Sequence, residues 1–212
     1  MSSIITLQSG APWYPTDATS DLVGTNEFND SIQGHIQTWN YTGPASAFQA
    51  GPNSLTCFGA SGCANATIPQ SCVTAAQAPY AGNAQLQAIA VAALNNLGCY
   101  EQGSGILTPP AYGTVGNASR NMFRVHPYYN VDFSVTKDWK FTERFSAQFR
   151  AEFFNFFNWG NFAIPSALSA GVDPSANSQF GCACATPDVQ GNNPVLGSGG
   201  PRHIQFGLKL AF

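Results

Sequence analysis

The sequence predicts an all-β fold: antiparallel, amphipathic strands with a long cysteine-bearing loop region and one short helix. Three observations predict it. Apolar and polar residues alternate with period two in several segments of about ten residues. Only 9% of the residues are charged while 44% are hydrophobic, and Gly, Ser, Thr, Asn and Gln supply the polarity. All six cysteines fall outside the alternating segments.

The elements follow in chain order. Residues 1–9 hold a first strand at about 3–9, an assignment carried by a resemblance given below. Residues 10–127 are too long and irregular for a turn, being rich in Ala, Gly, Asn, Ser and Pro, and form a long loop region. Within it the spacing predicts a helix over 83–97, because Leu86, Ile89, Ala90, Ala93, Leu94 and Leu97 fall on one stripe and Gly98 follows as a C-cap. That helix reads as a local packing element, and nothing independent supports a partner-binding role.

Residues 128–157 read as a hairpin. Tyr129, Val131, Phe133 and Val135 alternate with Asn130, Asp132, Ser134 and Thr136 over a strand at about 128–139. After the turn-like 140–144, Phe145, Ala147, Phe149, Ala151 and Phe153 alternate with Ser146, Gln148, Arg150 and Glu152 over about 144–157. Residues 158–202 form a second long loop. Residues 203–212 form the last strand: Ile204, Phe206, Leu208, Leu210 and Phe212 on one face, His203, Gln205, Gly207, Lys209 and Ala211 on the other.

About ten alternating residues is the length a tilted strand needs to cross a bilayer. Asp132, Gln148, Arg150, Glu152 and Lys209 share the polar faces, where water and not hydrocarbon must meet them, so they are expected to face a lumen. Trp139, Phe141, Phe154, Phe156, Phe157 and Trp159 gather at strand ends, the place of interfacial girdles. A soluble sandwich also alternates, but a terminal strand as apolar as 203–212 would leave it a greasy edge. The strands therefore read as a sector of an outer-membrane barrel.

Several segments then resemble one family. Tyr128-Tyr129-Asn130-Val131-Asp132-Phe133-Ser134-Val135-Thr136-Lys137, Gln148-Phe149-Arg150-Ala151-Glu152-Phe153-Phe154-Asn155 and Pro201-Arg202-His203-Ile204-Gln205-Phe206 resemble the carboxy-terminal part of TonB-dependent outer-membrane receptors, particularly the Oar-like group. Ile5-Thr6-Leu7-Gln8-Ser9-Gly10-Ala11-Pro12 looks like an earlier strand of the same barrels with its exit into a loop. The resemblance covers about residues 4–16 and 112–212. The chain departs from the family at two loop junctions, Arg124-Val125-His126-Pro127 and Asn158-Trp159-Gly160, where the family tends to carry Gly-Pro and Asn-His-Pro.

The resemblance implies a parent that binds or imports a bulky ligand with energy relayed by TonB. Such receptors have an amino-terminal plug, a TonB-contacting box and about 22 strands. Neither plug nor box is visible here, and Met1-Ser2-Ser3 does not open a leader. The chain is therefore expected to be a carboxy-terminal piece, or to lack its leader. Its partners would be the remaining barrel strands or further copies of itself, the outer-membrane assembly machinery and the lipid bilayer, with TonB reached only through the plug. Phe206, Leu208, Leu210 and Phe212 would form the assembly signal. The 140–144 turn would be periplasmic and 10–127 and 158–202 external, since short turns face the periplasm. A rival expectation is an extracellular structural protein whose copies join by edge-strand pairing into filaments.

The six cysteines, Cys57, Cys63, Cys72, Cys99, Cys182 and Cys184, are disulfide candidates in an exported chain. Closeness along the chain favours Cys57–Cys63 and Cys72–Cys99, whereas Cys182-Ala183-Cys184 looks too tight for an easy mutual bridge. No Cys-x-x-Cys pair or paired histidines point to zinc, and no cofactor is expected. No enzyme is expected either. Gly197-Ser198-Gly199-Gly200-Pro201 superficially echoes a serine-protease loop, but Gly197 stands where an Asp should. His35, His126 and His203 are isolated. Asn40-Tyr41-Thr42, Asn65-Ala66-Thr67 and Asn117-Ala118-Ser119 match glycosylation triplets, which are common by chance. A net charge of −3 without a basic run argues against nucleic acid.

Overall fold

The computed structural model describes residues 1–24, 37–60, 63–165, 172–176, 179–191 and 199–212. Its elements are β1 (Ser2–Gln8), β2 (Pro12–Trp13), β3 (Asn40–Thr42), β4 (Cys57–Phe58), α1 (Gln70–Gln77), α2 (Ala84–Leu97), β5 (Cys99–Gln102), β6 (Gly105–Thr108), β7 (Phe123–Arg124), β8 (Tyr128–Lys140), β9 (Ser146–Phe154), α3 (Pro187–Gln190) and β10 (His203–Ala211). The fold is mostly antiparallel strand with short helices and disulfides, as the alternation and composition predict. The chain divides into a sheet unit, 1–10, 126–163 and 185–212, and a second unit, 11–125 and 164–184.

The sheet unit is a four-stranded antiparallel sheet in the order β1-β8-β9-β10. Its register sets Ile5 opposite Val131, Phe133 opposite Phe153, and Phe149 opposite Leu208. The β8–β9 turn is held by Phe141 and Thr142 N–H donating to the Phe145 carbonyl at 3.0 and 3.2 Å. The Phe145 N–H donates to the Thr142 hydroxyl at 3.0 Å. β9 stops at Phe154 because Asn155 turns the backbone to φ 49°. The Asn155 side chain then holds the turn, accepting from Trp159 N–H at 3.0 Å and donating to the Trp159 carbonyl at 2.9 Å.

The second unit is more ordered than a loop region. A four-stranded sheet β3-β6-β5-β4 and the two-stranded pair β2–β7 enclose an aromatic core of Trp13, Tyr41, Phe48, Tyr100, Phe123 and Phe180, all buried. Tyr41 and Phe123 meet edge-on at 4.8 Å, and Tyr100 and Phe180 lie 4.6 Å apart. Segment 164–184, reached after β9, co-folds with 11–125: the Leu55 N–H donates to Phe180 at 2.8 Å, and Thr16 N–H to Val172 at 2.8 Å. The sequence alone predicts two separate loops here, 10–127 and 158–202. The strands here are two to four residues long, too short to show a period.

Helix α2 begins where the Asn83 side chain accepts the Leu86 N–H at 3.1 Å and ends at Gly98, φ 79°. It packs against α1 through Cys72, Ala76, Ala90 and Leu94. Helix α1 is an addition to the sequence reading: eight residues rich in Gln, Ser, Thr and Ala carry no clear apolar stripe.

Candidate lipid-facing sheet

Pairing in an antiparallel sheet puts opposed residues on the same face. The register therefore assembles one apolar face across all four strands: Ile5 and Leu7 on β1, Val131, Phe133 and Val135 on β8, Phe149, Ala151 and Phe153 on β9, and Ile204, Phe206, Leu208 and Leu210 on β10. Phe149 and Phe206 stack at 6.0 Å across the β9–β10 seam. This face is not a core. Leu7, Phe206 and Leu208 are each 66–67% exposed. Contiguous exposed apolar surface on this scale marks an interface with a membrane or a partner.

Aromatic side chains close the face at both ends. Tyr129, Phe156, Phe157 and Trp159 cluster at the end away from the 141–145 turn, with Phe157 and Trp159 rings 5.0 Å apart. Trp139, Phe141 and Phe145 lie at the turn end, the two Phe rings 5.4 Å apart. Tyr129 and Trp139 stand on the same face at opposite ends of β8. The intervening strand is about 33 Å long, and a tilt of about 40° gives a height of about 25 Å, the depth of an outer-membrane apolar band. Lys137 shares this face beside Trp139, close enough to the turn for its ammonium to reach water. Its polarity hid that position from the alternation pattern.

The other face carries the predicted polar residues together. Asp132, Gln148, Arg150, Glu152 and Lys209 all lie on it, with Gln148 opposite Lys209 and Glu152 opposite Gln205. Arg150 pairs with Glu152, Gln148 donates to Asp138 at 2.7 Å, and Ser2 and Ser134 share a hydrogen bond of 2.7 Å. Three buried asparagines escaped sequence reasoning. Asn130, Asn155 and Asn161 are each 2% exposed at the end away from the turn. Asn161 brackets the Tyr129 backbone, accepting its N–H at 3.0 Å and donating to its carbonyl at 2.9 Å. The Asn155-Phe156-Phe157-Asn158 run, with both asparagines at positive φ, is the signal that marks this turn.

The outer edges of β1 and β10 have no strand partner among the described residues. The residues expected to signal assembly, Phe206, Leu208 and Leu210, lie on the β10 edge strand, and Phe212 follows it at 98% exposure.

The cysteines all fall in the second unit and form three pairs: Cys57–Cys63, Cys72–Cys99 and Cys182–Cys184. The last is a pairing that the sequence reading of Cys182-Ala183-Cys184 as too tight does not expect; it follows Gly181 at φ 71°, and its two Cα atoms sit 5.0 Å apart. Among the described residues no three His, Cys, Asp or Glu side chains gather as a metal site. Asn40 and Asn117 serve structure: Asn117 Oδ1 accepts the Tyr41 N–H at 2.6 Å, and Asn40 Oδ1 accepts the Asn117 N–H at 3.1 Å. His35, Gly197 and Ser198 lie outside the described residues.

In the second unit a pair of buried carboxylates ties the two chain segments. Asp17 accepts from Trp39 Nε1 at 2.8 Å and from the Ser175 hydroxyl. Asp173 accepts the N–H groups of Ala18 and Ser175 at 3.1 and 2.9 Å. Burial, and secondarily the Asp17 charge, push the Asp173 carboxyl above its usual range, against the pull of those N–H groups.

A family of proteins described as outer membrane beta barrel domain matches residues 1–205. No curated protein and no solved structure matches the chain.

Proposed function

The chain belongs to the outer membrane beta barrel domain family, an outer-membrane protein, and on that footing we propose that it is the carboxy-terminal sector of a TonB-dependent, Oar-like receptor. One observation carries the reading: an apolar face, exposed on its edge strands β1 and β10 and half-buried on β8 and β9, runs across four strands and is bounded by aromatic clusters at both ends. Lipid is the solvent that suits it. Asp132, Gln148, Arg150, Glu152 and Lys209 would then line the lumen, and the second unit would stand outside the cell. Four strands cannot enclose a lumen, since the smallest such barrels have eight, so the edges of β1 and β10 require further strands. The parent would bind or import a bulky ligand, with TonB engaging its plug. No catalytic role is assigned to the sector.

The test is cross-linking in cells. The parent receptor should assemble in the outer membrane and cross-link to TonB through its amino-terminal box. A parent that assembles normally yet never contacts TonB would remove the TonB assignment and leave the barrel.

A second reading is favoured by one observation. β1 and β10 run in opposite directions, and Ile5 and Leu7 share a face with Ile204, Phe206, Leu208 and Leu210, while Ile4 lies on the polar side. Strand β10 of one copy can therefore pair antiparallel with β1 of the next without breaking the face. In this reading the copies assemble with each other, outside or within the membrane.

A further inference from the structure

The polar face carries a feature that the barrel reading does not use. At the end away from the turn, Asp132 Oδ1 accepts from Asn130 Nδ2 at 2.9 Å and from the Asn155 N–H at 3.0 Å. Asn155 Nδ2 donates onward to the Gly200 carbonyl at 3.1 Å. The Asp188 carboxylate lies directly over Gly200, where a Cβ would collide with it. The chain thus brings Asp188, from the connection between β9 and β10, to the sheet end that holds Asp132. Tyr128 lies beside the same connection: a Cβ on Gly199 would meet the Tyr128 ring at 2.9 Å and Pro187 at 3.1 Å.

Two oxygens in this network are buried without a hydrogen-bond partner: Asn130 Oδ1 and Asp188 Oδ1. Asn130 is 2% exposed. A buried orphan acceptor costs about 1–3 kcal/mol, and more when charged. Both orphans are acceptors, which a cation held beside the carboxylates would satisfy, as would the hydrogens of a buried water. The set is all oxygen, with two carboxylates and an amide carbonyl, and holds no imidazole or thiolate. Such a set selects a hard ion over zinc or copper.

We propose that Asp188, Asp132 and Asn130 hold a divalent cation of the calcium class, which pins the β9–β10 connection to the end of the sheet. The ion would take Asp188 Oδ1, Asn130 Oδ1 and the second oxygen of Asp132. Two carboxylates give the modest affinity of extracellular modules, about 10⁻⁴–10⁻³ M.

Terbium luminescence tests this in the assembled protein in detergent, since Tyr128 stands beside the site as sensitiser. Wild-type protein should show saturable emission that calcium displaces. Asp188→Asn should weaken terbium binding by about tenfold or more. Asn130→Ala, which keeps both charges, should also weaken it, and serves if Asp188→Asn fails to assemble. Absence of saturable emission, or undiminished affinity in either folded variant, would overturn the proposal and leave a buried water at those oxygens. The outcome is independent of TonB.

Discussion

At the scale of the residue, alternation was legible and conformation was not. The partition of Phe149 from Arg150 follows from period two alone, and the register repeats it across the sheet. Phe149→Arg should therefore cost roughly 2–4 kcal/mol if that face meets lipid near the midplane, whereas Arg150→Phe on the opposite face should not reproduce that depth-dependent cost. Denaturant titration of the barrel refolded into vesicles measures both. Asn155 was invisible to pattern reading, because nothing in hydropathy marks a residue at φ 49° that satisfies a turn. Asn155→Ala removes the turn's donors and acceptor and places a Cβ residue without side-chain compensation in left-handed backbone. Its cost should be about 2–4 kcal/mol, read by the same titration.

Elements were legible in proportion to their length. β8, β9 and β10 are long enough to express a period, while β2 through β7 span two to four residues and are set by tertiary pairing. Helix α2 announced itself through its stripe and Gly98, and α1 did not. For β10, Phe212→Asp should lower the outer-membrane yield of the assembled barrel, measured by heat-modifiable mobility, and a normal yield would remove Phe212 from the assembly signal. For the clasp of 17–20 with 172–175, pH gives the test. Asp173 has a folded pKa raised above its unfolded value, so its contribution to stability is fully present below the ordinary carboxylate value of 3.8 and is lost as pH rises through the folded value. Local unfolding of the second unit, followed through the Trp39 near-ultraviolet signal, should thus occur at higher temperature at pH 4 than at neutral pH, and Asp173→Asn should flatten that dependence. A midpoint that falls on acidification would contradict the sign.

At the scale of the whole molecule, charge is divided unevenly. The sheet unit holds most of the basic residues, including Lys137, Lys140, Arg144, Arg150, Arg202 and Lys209, while the second unit relies on aromatic packing and disulfides. Cys72–Cys99 alone, closing a separation of 27 residues, should contribute about 3–4 kcal/mol through the unfolded state. Alkylation without reduction should label few thiols in the mature protein, and six labelled cysteines would reverse the pairing. The sheet, with neither edge paired among the described residues and its edge strands' apolar side chains exposed, should not persist as a water-soluble monomer. Purified chain should aggregate unless given detergent and further strands, or form regular assemblies if copies pair. Light scattering and electron microscopy separate these results, and a monodisperse monomer in plain buffer would defeat both.

The core of the second unit is completed by Phe180, which the ribosome makes long after Trp13, Phe48 and Phe123. A chain threaded across the inner membrane from its amino terminus would therefore carry an unfinished aromatic core for most of its passage. Cys57–Cys63 and Cys72–Cys99 can close early from local segments, but β1 must wait for β8 and the core for Phe180. Contacts this distant in sequence close slowly. The interval exposes apolar surface in the periplasm, so the second unit should need holding chaperones until residue 184 is through, and the sheet, whose apolar face stays exposed, until it enters the membrane.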